Sequence, residues 1–157
     1  MHAASVTLAA GLGFYGDNWE PVAASIERGG AQYVCSDHLA ELTLAILQKD
    51  RQKDATLGYA RDVLPMLARL WPLMQARGCK FICNAGGLNP QACGAAVRQA
   101  LEAKGLSARI AVVTGDEVLQ DLNDTSTHLF QNTAYSTVRE RMVFANAYLG
   151  ARPIVTA

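Results

Sequence analysis

The chain has 157 residues, about the length of one ordinary domain, and 50% of them are hydrophobic. Only 18% are charged, so the composition is that of a globular protein and excludes an intrinsically disordered chain. The 14 Lys and Arg residues balance the 14 Asp and Glu residues, which argues against a nucleic-acid-binding protein and against a protein held on a membrane by charge.

The ends and the cysteines bear on the cellular compartment. The first residues lack the basic region of a signal peptide, and Ser5 and Thr7 interrupt their apolar run. No stretch reaches the roughly 18 apolar residues of a membrane span, so we predict a cytoplasmic protein that does not contact a membrane. Four cysteines lack the spacing of a zinc motif, which predicts buried, reduced thiols and no metal site. They are Cys35, Cys79, Cys83 and Cys93.

Short runs with strand character alternate with longer helical patterns. The predicted strands are 5–11, 31–36, 79–84, 109–114 and 141–146. The predicted helices are 18–28, 37–53, 58–77, 90–104 and 117–122, with a further helix opening near residue 153 and a polar, unpatterned stretch at 123–137. Pro65 and Pro72 are expected to kink or divide the third of these helices. The alternation predicts a single α/β domain over residues 1–157, with a Rossmann-like, mainly parallel sheet of about five strands and helices on both faces.

A glycine-rich loop follows the first predicted strand. Gly11, Gly13 and Gly16 fit the pattern GxGxxG, and Asp37 lies about 20 residues further on, which is the outline of a dinucleotide fingerprint. Asp17 directly follows the glycines and would repel a phosphate at the start of the next helix. The alternative is a glycine turn followed by a capping acid, and the acid argues against NAD as a cofactor.

The second predicted strand is followed by Ser36, Asp37 and His38, with Glu41 one turn into the next helix. Ligands of parallel sheets bind beyond the carboxyl ends of the strands, so polar residues at these positions are candidates for a site. Asp37 is either a helix cap or a catalytic acid, and Glu41 is either an acid favoured by the helix dipole or a general base. His38 is predicted to be a surface residue. The candidate catalytic residues are therefore Asp17, Asp37 and Glu41.

The third predicted strand leads into the loop NAGGLNP, in which no acid follows the glycines. Backbone amides at Gly86 and Gly87 can approach an anion, and Asn84 and Asn89 add neutral donors. The alternative is a turn that needs a positive φ. The candidate substrate-binding residues are Gly13, Asn84, Gly86, Gly87, Asn89, Asp116, Asn146 and Tyr148, of which Asp116 is also explained as a helix cap.

Several long sequence segments resemble those of one protein family. They are GLGFYGD, CSDHLAELTLAIL, KDATLGYARD, CNAGGLNPQAC, VVTGDEV and ANAYLGARPIV. Together they resemble the N-terminal region of the acyclic terpene utilisation (AtuA-like) family, from about Gly11 to Val155. The resemblance implies a cytoplasmic bacterial or fungal protein in the catabolism of branched acyclic acids. The family's genes lie with those of acyl-CoA carboxylases and enoyl-CoA hydratases. The family's proteins continue past the segment that matches Pro153, so the chain is expected to correspond to the first part of a longer protein.

The leading hypothesis is a lyase of the hydratase type, or part of one, that acts on a small carboxylic acid or its CoA thioester. CoA would then be part of the substrate; the sequence does not identify a cofactor, and NAD is disfavoured. Two alternatives stay open: a non-catalytic subunit that completes its fold with a partner chain, and a nucleotide-binding module. The expected assembly is a homo-oligomer or a complex with a chain that carries the rest of the family region.

Overall fold

The computed structural model of the chain describes residues 5–124 and 134–157. Residue contacts divide the chain into two compact units, Met1–Ile110 and Ala111–Ala157. The first unit contains three strands and four helices: β1 Leu8–Ala10, α1 Glu20–Gly29, β2 Tyr33–Ser36, α2 Glu41–Lys53, α3 Val63–Arg77, β3 Lys80–Cys83 and α4 Pro90–Glu102. The mixed α/β class that the sequence predicts is confirmed.

The three strands form a parallel sheet in the order β1-β2-β3. The register pairs Val34 with Ala9 on one side and with Phe81 on the other, and it ends with the pair Ser36 and Cys83. β2 and β3 therefore end at the same position along the sheet. The residues that follow these two strands start from neighbouring positions at one edge of the sheet.

The core lies on the face of the sheet that contains Val34, which is fully buried. On that face α1 packs against α3, and α3 packs against α4. Apolar side chains of the three helices supply the core because their burial removes hydrocarbon from water. They are Val22, Ile26, Val63, Met66, Leu67, Leu70, Met74, Val97 and Leu101.

The opposite face of the sheet carries exposed apolar side chains. Leu8 is 66% exposed, and Cys35 is exposed as well. These two residues lie on the strands but point away from Val34, because successive side chains of a strand alternate between faces. The predicted layer of helices on both faces is therefore not confirmed, and neither is the Rossmann-like arrangement.

The prolines do not divide α3. Pro65 lies in the first turn, where a helix has no internal partner for the backbone N–H, so its missing donor costs little. Pro72 lies inside the helix and removes one hydrogen bond, but the helix continues to Arg77. The expectation of a break was wrong here because packed apolar residues on both sides of Pro72 hold the helix together. The helix also begins later than predicted, at Val63 and not at Gly58.

The second unit contains no strand ladder among its described residues. The predicted strand 109–114 makes no ladder, and the predicted strand 141–146 makes one isolated antiparallel bridge, between Glu117 and Asn146. The prediction of about five strands is corrected to three, because strand character in a sequence yields a strand only where a neighbouring strand pairs with it. The helical elements of this unit are short: 3-10 turns at Leu119–Asp121 and Arg139–Arg141, α5 Tyr135–Val138 and α6 Arg152–Thr156.

The helix predicted at 117–122 is reduced to the 3-10 turn Leu119–Asp121, whereas the helix predicted near the end of the chain is present as α6. Most of the predicted polar stretch 123–137 lies outside the described residues. Within the described ranges, no helix has the length and hydrophobicity to cross a membrane.

Candidate functional site

Asp37 and Asn84 lie side by side where β2 and β3 end. The last ladder pair is Ser36 and Cys83, and each of these two residues follows one member of that pair. Asn84 Nδ2 donates a hydrogen bond to Asp37 Oδ1 over 2.6 Å, and Leu39 N donates to the same oxygen over 3.1 Å. Within the described part of the chain, the second oxygen of Asp37, Oδ2, has no hydrogen-bond partner. Asp37 is exposed, so this oxygen is open to a ligand.

The orientation of the Asn84 side chain is fixed by its own carbonyl. Asn84 Oδ1 accepts a hydrogen bond from the backbone N–H of His38 over 2.7 Å. Of the two polar atoms of the Asn84 amide, only the oxygen can accept from an N–H, so Nδ2 must be the atom that faces Asp37. Each side-chain amide nitrogen carries two hydrogens, and the second hydrogen of Asn84 Nδ2 remains for a ligand.

The helix that follows Asp37 begins later than predicted. Its first residue is Glu41, and Ala40 occupies the capping position without a side-chain hydrogen bond. Asp37 is therefore not a helix cap: its contact with Leu39 N closes a local turn ahead of the helix. Glu41 is exposed in the first turn of α2, and no hydrogen bond joins it to Asp37.

His38 is fully buried, which corrects the prediction that it is a surface residue. The alternation of burial continues past the end of β2, so that Asp37 is exposed between two buried neighbours. One of these, Ser36, is 6% exposed, and its Oγ lies 3.2 Å from His38 Nε2. On the other side of the ring, His38 Nδ1 lies 3.6 Å from Asp62 Oδ1.

Asp62 immediately precedes α3 and brings a carboxylate under the glycine-rich loop. Its Oδ2 accepts a hydrogen bond from Gly16 N over 2.7 Å. Burial raises the pKa of the Asp62 carboxyl, but its contacts with His38 and with Gly16 N outweigh that effect, and the net pKa lies below the usual value of 3.8. Asp62 is therefore ionised at neutral pH. No sequence motif marked it, because its role depends on the loop that folds over it.

The glycine-rich loop is closed by its own acid. Asp17 Oδ2 accepts from Gly13 N over 3.0 Å, and Asp17 Oδ1 accepts from Asn18 N over 2.7 Å. Both oxygens of this predicted catalytic residue therefore hold backbone amides. The Gly13 amide, which a dinucleotide phosphate would need, is already engaged by Asp17.

The loop after β3 is bonded largely to the rest of the protein. The amides of Gly87 and Asn89 close turns onto the carbonyls of Asn84 and Gly86, and the amide of Leu88 donates to another loop. Gly87 has a φ of +51°, so the turn that needs a positive φ is present. An anion at this loop would therefore meet fewer free amides than the sequence suggests.

Asn89 holds two segments together. Its Nδ2 donates to the carbonyls of Ala55 and Leu57 over 3.1 and 2.9 Å, and its Oδ1 accepts from Ala92 N at the start of α4 over 3.3 Å. These contacts use both ends of the side chain for structure. They leave the predicted role of Asn89 in substrate binding as a prediction.

Three predicted binding residues lie in the second unit. Asn146 Nδ2 donates to Asp116 Oδ2 over 2.9 Å, and Ala147 N donates to the backbone carbonyl of Asp116 over 2.7 Å. Tyr148 is fully exposed. The structure thus brings Asp116 and Asn146 together, and it pairs neither of them with Tyr148.

A comparison with protein families matches residues 6–157 to the acyclic terpene utilisation family, AtuA. The chain belongs to this family. The comparisons with curated proteins and with solved structures found no match.

In this AtuA family member, the residues that sequence analysis missed are Ser36, His38 as a buried group, and Asp62. The alternation of polar residues after β2 could have revealed the first two, because Ser36 and His38 flank Asp37 with the period of a strand. Within residues 5–124 and 134–157, no group of three or more His, Cys, Asp or Glu residues is arranged to hold a metal ion.

The four cysteines of this AtuA family member are free thiols. Cys79 and Cys93 are buried as predicted, whereas Cys35 and Cys83 are exposed. The prediction of burial was wrong for Cys35 because its side chain lies on the sheet face away from the core.

Proposed function

We propose that this AtuA family member contributes the active site of a hydratase-type lyase, in which Asp37 is the general base. The observation that carries the proposal is the Asp37 carboxylate at the carboxyl edge of the sheet. One of its oxygens is held by two donors and the other is free. A base held in this way keeps one lone pair directed at a fixed point, which is what proton transfer requires.

The substrate class follows from the family. Its members take part in acyclic terpene utilisation, and the resemblance places their genes beside those of acyl-CoA enzymes. An unsaturated branched acid or its CoA thioester is therefore the proposed substrate. In the hydration step, Asp37 Oδ2 takes a proton from water while the water oxygen bonds to the β-carbon. The electron pair of the double bond moves onto the carbonyl oxygen as an enolate. The proton held by Asp37 then passes to the α-carbon, directly or by way of Glu41, so that one water molecule is added in total and both carboxylates are restored.

Asn84 is the proposed stabiliser of the enolate oxygen. Its side-chain amide keeps one hydrogen after donating to Asp37, and the His38 amide holds it in place. A donor fixed in advance at the atom where charge develops lowers the barrier more than a mobile one. Gly86 and Gly87 would then shape the loop beside the substrate.

Among the three acids that sequence analysis selected, the contacts favour Asp37. Asp17 uses both oxygens to hold backbone amides of its loop, so its removal would disturb the loop first. Glu41 is exposed in α2 and is the candidate for the acid that returns a proton. The third hypothesis, a nucleotide-binding module, is weakened because Asp17 occupies the Gly13 amide.

The test is hydration of a branched enoyl-CoA by the intact chain and by single variants. Asp37→Asn keeps the size of the side chain and is expected to lower turnover by about 100-fold, the usual contribution of a general base. Asp54→Asn is the matched control, since Asp54 is an exposed acid whose side chain contacts only Thr56 among the described residues. Full activity in Asp37→Asn, or equal losses in both variants, would refute the proposed base.

A second candidate function is favoured by the exposed face of the sheet. Leu8 on β1 is 66% exposed, whereas parallel sheets are usually covered on both faces. The chain would then be a non-catalytic subunit whose partner, or a second copy, covers this face. Light scattering during size-exclusion chromatography tests this second candidate function, since a stable monomer contradicts the subunit hypothesis. A cytoplasmic location remains a prediction from the sequence.

A further inference from the structure

Asp37 stands between two buried polar residues whose side chains leave the opposite side of the backbone. Ser36 is 6% exposed and His38 is not exposed at all. A buried polar group normally has a hydrogen-bond partner, because leaving it without one is energetically costly. The partners of Ser36 and His38 therefore show what this pair of residues holds in place.

The partners lie at both ends of the glycine-rich loop. At one end, Leu12 N donates to Ser36 Oγ over 2.8 Å, and Leu12 O accepts from Asp37 N over 2.9 Å. At the other end, Gly16 N donates to Asp62 Oδ2 over 2.7 Å. His38 lies between Ser36 and Asp62 and so connects the two ends through the interior.

The donors and acceptors assign the proton of the imidazole. Ser36 Oγ already accepts from Leu12 N, and among the described residues its other contact is His38 Nε2 at 3.2 Å. The hydroxyl hydrogen therefore needs Nε2 as its acceptor, which requires Nε2 to carry no proton. In a neutral ring the proton is then on Nδ1, facing Asp62 Oδ1 at 3.6 Å. Among the described residues, these two buried atoms have no hydrogen-bond partner.

We propose that His38 is a positioning residue, held as the neutral imidazole protonated on Nδ1, that fixes the glycine-rich loop and the backbone around Asp37. Through Ser36, His38 fixes the position of Leu12, whose carbonyl accepts a hydrogen bond from the Asp37 amide. Its own backbone N–H orients Asn84, which in turn holds Asp37 Oδ1. The effect on turnover rests on the proposed function, whereas the state of the ring does not.

Ser36, His38 and Asp62 are also the residue types of a nucleophilic triad, and the geometry argues against that role. A nucleophilic serine must reach the carbonyl carbon of its substrate. Ser36 is 6% exposed, and its oxygen is held by the amide of Leu12. The three residues therefore act on the loop and not on a substrate.

The first test determines, in the intact chain, which ring nitrogens of His38 carry a proton. Histidine labelled with ¹⁵N gives different nitrogen shifts for the two neutral tautomers and for the charged ring. The His38→Gln variant assigns the His38 signals among the three histidines of the chain. At neutral pH, we expect a protonated Nδ1 and a bare Nε2. A proton on Nε2, in either the other tautomer or the charged ring, would overturn the proposal whether or not the chain hydrates enoyl-CoA.

The second test separates positioning from folding. Ser36→Ala and His38→Gln are expected to lower kcat by about 10- to 100-fold with little change in KM, because displacement of a reacting group by about 1 Å has effects of this size. Ser25→Ala is the control, since its hydroxyl only contacts the Pro21 carbonyl within α1. Wild-type kcat in variants that melt cooperatively would contradict the positioning role.

Two further outcomes distinguish a failure of the proposed function from a failure of the positioning role. If the wild-type chain does not hydrate any enoyl-CoA, the proposed function fails, and the nitrogen shifts alone decide the state of His38. Labelling of Ser36 by a fluorophosphonate, shown by its loss in Ser36→Ala, would overturn the positioning role in favour of a nucleophile.

Discussion

Gly11 and Ser36 lie so close that a Cβ atom on Gly11 would come within 2.6 Å of the Cβ of Ser36. No real pair of side chains tolerates that distance, so residue 11 must be glycine for Ser36 to keep its place. The first glycine of the GxGxxG pattern therefore has a packing reason that requires no nucleotide.

Gly11→Ala is expected to destabilise the protein by about 1–3 kcal/mol, the usual cost of forcing a methyl group into a packed region. Gly29→Ala is the control, because nothing lies within 4 Å of a Cβ at Gly29, the last residue of α1. Urea unfolding followed by circular dichroism measures both variants. Equal stability of the two variants would show that Gly11 and Ser36 are not in contact.

Asn89 is predicted to stabilise the fold through both ends of its side-chain amide. Asn89→Asp keeps the oxygen that accepts from Ala92 N but replaces the donor to the carbonyls of Ala55 and Leu57 with a second oxygen. We expect this variant to lose about 1 kcal/mol of stability, since the exposed Ala55 carbonyl and the half-buried Leu57 carbonyl lose their donor. Asn18→Asp is the matched control, because Asn18 Oδ1 accepts from Glu20 N and a carboxylate can do the same. If Asn18→Asp lost stability and Asn89→Asp did not, the stabilising role of the Asn89 side chain would be contradicted.

The acid sensitivity of the fold is expected to depend on Asp62. Its pKa in the folded protein lies below the value of 3.8 that it has when unperturbed. The ionised carboxylate therefore contributes stability that is fully present above that value and is lost as the pH falls through the lower, folded pKa. Asp62→Asn should be less stable at neutral pH and should lose less stability as the pH falls below about 4. Thermal melts at several pH values measure this, and parallel pH profiles of the two proteins would refute the prediction.

The cysteines are expected to react in an order set by exposure. Burial raises the pKa of the Cys93 thiol to about 12, so almost none of the reactive thiolate forms near neutral pH. Cys35 is exposed on the open face of the sheet. Alkylation at pH 8 followed by peptide mass mapping should modify Cys35 well before Cys93. Cys35→Ser is the control, in which rapid modification of the peptide that contains residue 35 should disappear, and rapid labelling of Cys93 would show that the core opens at this site.

Much of the first unit could be predicted from local sequence. Helices α1 and α4 begin at or next to a proline, as the sequence indicates, and β1, β2 and β3 lie within the predicted strands. The neighbourhood of Asp37 and Asn84 could also be expected, because parallel strands place their carboxyl ends at one edge. The predicted strand 109–114 failed because its apolar pattern specifies a tendency and not a pairing partner.

The candidate site, too, could be predicted only in part from the sequence. The residue types and the order along the chain specify an acid after β2, an amide after β3 and a glycine loop after β1. They are also sufficient to show membership of the AtuA family. They did not reveal that His38 points inward, since a single histidine after a strand is compatible with either face.

Only the folded chain decides the partners of these residues. Asp62 lies 46 residues after Gly16 and yet accepts its amide, and Ser36 lies 24 residues after the Leu12 amide that it binds. The first contact depends on the position of α3, which Asp62 directly precedes, and the second depends on the pairing of β1 with β2. Hydrogen bonds act over about 3 Å, so it is tertiary packing, which no local pattern encodes, that determines which polar groups meet.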